Sequence, residues 1–248
     1  MKREVRAVLL VLFGAAALRI SLFSDAYVRY VREYMRPYLI TGGLVLVALG
    51  LAGAFIAVRS QLQQQSEQQQ VEDADAHADD GHGHAHGGPR SAWLLILPVL
   101  AIFLIAPPAL GSYTAQRSAN SVAKPATSNS FPALPKDDPL VMQLADFDVR
   151  AVWDDSGALK GRRVRLTGFV TPKKGGGWYV SRLTISCCAA DALTYKVQVS
   201  GIAAPPTDAW VEVTGVWQPG GQVKRDDAIP VMKAQQVKRI AQPHNPYE

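Results

Sequence analysis

Tyr38 to Val58 reads Y-L-I-T-G-G-L-V-L-V-A-L-G-L-A-G-A-F-I-A-V, 21 residues without a charge. As a helix rising about 1.5 Å per residue, this run covers a hydrocarbon core of roughly 30 Å. A chain carrying it is expected to be membrane-anchored, because backbone amides in lipid are satisfied only inside a helix or a closed barrel. Two more segments have the same character. Ala92–Leu110 is a span interrupted by Pro98, and Val5–Phe23 is apolar from Ala7 to Leu18 with Arg19 near its end. The alternative for Val5–Phe23 is a cleaved signal peptide, but no small-x-small cleavage site follows it convincingly. The expected architecture is therefore an α-helical membrane region, 1–110, with three transmembrane helices at 5–23, 38–58 and 92–110.

Three spans place the termini on opposite sides of the bilayer. Basic residues near the span ends do not decide the orientation: Lys2, Arg3, Arg6, Arg59 and Arg90 on one side balance Arg29, Arg32, Arg36, Arg117 and Lys124 on the other. The signal-anchor character of the first helix puts the N-terminus inside. A Ser, Thr, Asn and Pro-rich tether, 111–136, then suits an extracytoplasmic stalk. Arg29, Arg32 and Arg36, interleaved with Tyr27, Tyr30 and Tyr34, read as a connection at headgroup level.

The loop between the second and third spans starts with seven Gln between Gln61 and Gln70, a helical extension or disordered polar chain. Acidic residues, glycines and four of the protein's five histidines follow in 72–88: His77, His82, His84 and His86. Imidazole and carboxylate suit borderline divalent ions, so a flexible metal-gathering loop is expected, with loose preference among zinc, nickel and copper. The plainer reading is a solvated linker with incidental histidines.

Residues 137–248 have the alternation and turns of a soluble β domain. Leu140, Val141, Leu144, Phe147 and Val152 suit one side of a leading helix or helix-turn, with Pro139 suited to its start. Strands are expected at 163–170, 178–185, 195–200, 210–217 and 229–237, with turns at Gly175-Gly176-Gly177 and Pro219-Gly220-Gly221. Five short strands point to a closed or nearly closed barrel of the OB type, with a sandwich as the alternative. Trp178, Tyr179, Trp210 and Trp217 could stack on bases, but core or rim packing is the commoner role of strand aromatics. The net charge of +5, from 26 Lys and Arg against 21 Asp and Glu, is spread evenly, so no nucleic-acid partner is expected.

The two cysteines, Cys187 and Cys188, are adjacent, which excludes a disulfide-stapled scaffold. They stand in R-L-T-I-S-C-C-A-A-D-A, Arg182 to Ala192, where a strand ends. Cys187, Cys188 and Asp191 can converge on one soft cation only if a turn brings both sulfurs to one side. Another group, such as His244, a loop histidine or a partner, would complete the shell. In the plainer reading one thiol enters the core and Asp191 caps a turn.

With these residues in view, the chain resembles the YcgQ-like family of permease subunits, the two-component permease partner with a DUF1980-type C-terminal domain. The likeness rests on the apolar helices split by the His-rich loop, on G-R-R-V-R-L-T-G-F-V (Gly161 to Val170), on the Cys-Cys stretch, on W-V-E-V-T-G (Trp210 to Gly215) and on P-H-N-P-Y (Pro243 to Tyr247). It implies an accessory subunit working beside a multi-spanning permease whose relatives handle metal or metalloid species. The long Gln run departs from the family pattern. No H-E-x-x-H, P-loop, G-x-S-x-G or C-x-x-C stands in the chain, so an enzyme is not expected. The expectation is a cell-membrane, multi-pass subunit that binds zinc or copper and assists transport. The alternative is an envelope-facing OB-type module that recognises a protein or polymer without metal.

Overall fold

The computed structural model describes residues 3–71, 108–125, 131–220 and 224–248. The chain divides into two units, Met1–Tyr27 with Glu33–Pro107, and Val28–Arg32 with Pro108–Glu248. The His-rich loop with His77, His82, His84 and His86, and residues 92–107 of the expected third span, lie outside the described residues.

In the first unit, α1 (Arg3–Leu22) and α2 (Arg36–Val71) are long and apolar enough to cross a membrane, with candidate spans at Val5–Leu22 and Glu33–Ser60. The Gln run is helical and extends α2 to Val71. Small residues bring the two helices together. A Cβ on Gly14 would stand 2.7 Å from the Gly43 carbonyl oxygen, and one on Gly50 would stand 2.8 Å from that of Ala7. Such contact lets dispersion hold two helices without an aqueous hydrophobic drive. Arg36 Nε donates to the Ser21 carbonyl at 2.9 Å, satisfying one of the last carbonyls of α1. Its guanidinium also lies 5.7 Å from the Tyr27 ring centre.

The second unit contains α3 (Ser112–Arg117), β1 (Leu140–Val141), α4 (Leu144–Trp153), β2 (Arg163–Pro172), β3 (Trp178–Thr184), β4 (Leu193–Ser200), β5 (Trp210–Gln218) and β6 (Val231–Arg239). They form a six-stranded mixed sheet in the order β1-β2-β3-β4-β6-β5. An added antiparallel pairing between β2 and β5 gives each of the five long strands two long-strand neighbours, β2 pairing with β1 besides. Only β1–β2 and β4–β6 are parallel. The apolar alternation of the strands builds the core around Trp178, Leu166, Val180, Val197, Val213 and Met232, all at most 1% exposed. Gly168 lies so close to β3 that a Cβ would stand 2.9 Å from the Val180 side chain.

Two expectations change. Leu140–Val141 pairs with Val164–Arg165 as a sixth strand, and the helix begins only at Leu144. The two-residue strand lacks the length for a period-2 signal, and its neighbours share the apolar spacing of the helix. The Glu248 carboxylate covers the start of α4, accepting from the Leu144 and Ala145 amides at 3.0 and 3.2 Å.

The stretch expected as a stalk is also wound onto the domain where it is described. Ser112 donates its amide and hydroxyl to the two carboxylate oxygens of Asp208, at 2.7 and 2.8 Å. Ala115 and Val122 are fully buried, and the Trp153 indole donates to the Val122 carbonyl at 2.7 Å. Polar composition marked this segment as solvated, but its few apolar residues and paired backbone give it a seat. Pro108–Leu110, the end of the expected third span, is non-helical and belongs to this unit.

Candidate metal centre

The connection from β3 to β4 turns on a buried anchor and a carboxylate. Ile185, 2% exposed, fixes the end of β3 in a small apolar cluster with Phe169, Leu183 and Tyr247. Asp191 then reaches back: its Oδ1 accepts from the Ser186 amide at 3.0 Å and its Oδ2 from the Cys187 amide at 2.8 Å. The Asp191 amide in turn donates to the Cys188 carbonyl at 3.1 Å, closing a short 3-10 turn over Ala189–Asp191. This is the turn that both sulfurs needed.

Cys187 is exposed and Cys188 half-buried, with their Sγ atoms 3.7 Å apart. The two sulfurs and a carboxylate oxygen of Asp191 all lie within 4.8 Å of one another. Two thiolates at about 2.3 Å from a tetrahedral zinc stand about 3.8 Å apart, so the spacing fits a shared ion. The donor chemistry fits as well, since two thiolates and a carboxylate are donors that zinc takes, and the thiolates alone suit copper(I).

Electrostatics also favour a cation here. The Asp191 carboxylate beside it and the Cys188 thiol push the Cys187 thiol up to about 11. Backbone amides, that of Cys187 foremost, hold the Asp191 carboxyl below its usual range. An ion bound to this group would relieve the mutual repulsion of its negative forms. Asp191 therefore caps the turn and stands among the possible ligands at once: a carboxylate has about four acceptor sites, and two are used by amides.

A further part of the site was not foreseen. Val28–Arg32, expected at headgroup level, belongs to the C-terminal unit. Val31 forms an antiparallel bridge with Cys188, the Arg32 amide donates to the Cys187 carbonyl at 3.1 Å, and the Ala189 amide donates to the Tyr30 carbonyl at 2.6 Å. Arg32 Nε donates to the Ile185 carbonyl at 2.6 Å. At the other end of the segment the Tyr247 hydroxyl donates to the Arg29 carbonyl at 2.8 Å and accepts from the Leu110 amide at 3.1 Å. Five residues between two long helices carry no local sign of such a partner, because the pairing spans more than 150 positions.

The other candidates settle differently. His244 is not among the ligand atoms gathered at the turn. Trp178 is core, its indole donating to the Ile202 carbonyl at 2.9 Å. Trp210 packs edge-on against Phe169 at 5.7 Å and lies under the Arg182 guanidinium at 4.7 Å. Tyr179 and Trp217 are half-buried.

Residues 147–248 match the family model of the DUF1980 C-terminal domain. The match to that family model runs from α4 through the Cys turn to Glu248. No curated protein and no solved structure matches the chain. Cys187, Cys188 and Asp191 lie within the matched region, while Val28–Arg32, bonded to the same turn, comes from outside it.

Proposed function

We propose that this chain is a membrane-anchored accessory subunit that captures zinc or copper at Cys187, Cys188 and Asp191 and assists its transport by a separate multi-spanning permease. The observation that carries this reading is the convergence of two sulfurs, 3.7 Å apart, with the carboxylate that organises their turn. His77, His82, His84 and His86 would gather the same ion on the far side of the second span. The chain acts as a binding subunit in this reading, since three helices are too few to enclose a pore.

The membrane arrangement proposed has three spans, with the C-terminal domain outside the cytoplasm. Chain connectivity supports it. Val28–Arg32 joins α1 to α2 and is bonded to the C-terminal domain, so both share one aqueous side if the helices cross the bilayer. The chain between Ser60 and Pro108 then has to cross once more, and Ala92–Leu110 is the apolar segment in that interval. The C-terminal domain is read as an OB-type barrel, supported by the two long-strand neighbours of every long strand and the parallel β4–β6 pair.

Zinc and copper(I) titration of the purified full-length protein, against a competing chromophoric chelator, tests the capture. One ion per chain at the turn is expected, with affinity lowered more than about tenfold in Cys187→Ser and Cys188→Ser. Unchanged affinity in both variants rejects the site. A second reading has its own observation, a cavity of about 370 Å³ lined by Leu110, Tyr113, Phe169, Asp208 and Trp210. It would let the domain hold an apolar or aromatic group of an envelope polymer or protein; a Trp210→Ala variant that loses a co-purifying polymer while keeping metal affinity would favour it.

A further inference from the structure

The residues that present the sulfurs are the same residues that hold the connection between the first two apolar helices. Cys187 offers its Sγ to the candidate site and its carbonyl to the Arg32 amide. Cys188 offers its Sγ to the site, forms the bridge with Val31 and accepts at its carbonyl from Asp191, the third ligand candidate. Ile185 and Ala189, on either side, supply the two remaining bonds to Arg32 and Tyr30. Regular strand pairing has ended by this point, with β3 stopping at Thr184 and β4 starting at Leu193. Beyond the buried Ile185 anchor, the turn is held by the Asp191 carboxylate inside it and by the Val28–Arg32 segment laid along it.

Resting on the metal-capture reading, we propose that ion occupancy of Cys187–Cys188 and seating of Val28–Arg32 are thermodynamically coupled, so that the connection between the first two spans reports whether the turn is loaded. Closing two sulfurs and a carboxylate on one ion fixes the backbone from Cys187 to Asp191. That backbone carries the Cys187 carbonyl and the Ala189 amide, whose two bonds make the Val31–Cys188 bridge. Fixing it lowers the entropic cost of seating the strap, and a seated strap lowers the cost of closing the site. Linkage requires the two effects to be equal. Arg32 Nε adds a side-chain bond to the Ile185 carbonyl at the start of the turn. A change in ion loading would thus reach the connection between the two apolar helices through the two backbone hydrogen bonds that make the Val31–Cys188 bridge.

The test uses full-length protein in nanodiscs. Amide hydrogen exchange over 28–33 is measured with and without saturating zinc, and zinc affinity is measured by chelator competition in wild type, Arg32→Ala and Tyr247→Phe. Saturating zinc should slow exchange over 28–33 by about fivefold or more, and Arg32→Ala should weaken zinc by a similar factor. Tyr247→Phe, which removes the bond at the far end of the strap together with that to the Leu110 amide, should act in the same direction and less. Zinc bound tightly with unchanged exchange, or wild-type affinity in Arg32→Ala, overturns the coupling and leaves the capture reading standing. Failure of wild type to bind zinc overturns the capture reading. In that case alkylation still decides the mechanical link: Arg32→Ala should raise the Cys187 alkylation rate, and an unchanged rate overturns the coupling on its own.

Discussion

The α1–α2 pair and the C-terminal domain are both built on apolar residues, yet they use them in opposite ways. In the domain the large side chains point inward and vanish from the surface: Leu166 is fully buried. In α2 the large side chains point outward, Leu51 being 58% exposed and Phe55 65%, while glycines occupy the contact. The difference is the one expected of helices able to cross a membrane beside a domain with a water-driven core. Water drives apolar area together, whereas lipid offers no such drive and leaves close backbone contact to hold the helices.

The largest effect expected from breaking this contrast is Leu166→Ala, which opens a cavity in the domain and should cost about 2–5 kcal/mol in a denaturant titration. Leu51→Ala in α2 makes the same chemical change at an exposed site and should leave the helix pair intact; a comparable loss in both would erase the distinction. Gly14→Leu attacks the other side of the comparison. It has no room against Gly43 and Val47 and should separate the helices at a cost of about 1–3 kcal/mol, read as lost cross-linking between cysteines placed in α1 and α2.

A buried polar group sharpens the comparison within the domain. Asp148 is fully buried, its Oδ2 accepting from Asn120 Nδ2 and the Lys196 amide, both at 3.1 Å. Burial pushes its carboxyl well above the ordinary range. The native state therefore holds a proton that the unfolded chain releases near pH 4, so this group's stabilisation is full below about pH 4 and is lost as pH rises through the raised value. Asp148→Asn should flatten that part of the stability profile, and Asp148→Ala should cost about 1–3 kcal/mol by leaving one N–H of Asn120 Nδ2 without its buried acceptor, the Lys196 amide keeping Asn120 Oδ1. An Asp148→Asn profile with the wild-type slope would assign the titration elsewhere.

The smallest effect is local to the turn. With its thiol pushed up to about 11, Cys187 is protonated at neutral pH, and its alkylation should accelerate about tenfold per pH unit below that value. Asp191→Asn removes the main cause and should speed the reaction at pH 8; slower alkylation would contradict the assigned electrostatics.

Much of this architecture was legible in local pattern. The uncharged run at Tyr38–Val58 announced a helix of membrane length, and Val164, Leu166, Gly168 and Val170 announced β2. Cys187, Cys188 and Asp191 could be named together because they lie within five positions, so a single turn suffices to gather them. Where two signals overlapped, as at Leu140–Val141, the longer helical period hid the strand. Where a segment had weak polarity contrast, as at Ser112–Val122, composition suggested a stalk and the tertiary structure supplied a seat.

From its sequence alone, then, this protein has its apolar helices, its strand periods and the donor set of its Cys turn, because each depends on neighbours a few residues away. Only the tertiary structure decided which strands pair, that β2 meets β5, and that Val28–Arg32 lies along the turn at Cys187–Ala189. Those contacts depend on loop closures whose cost grows only slowly with length, so the intervening sequence carries almost no mark of where its ends will meet.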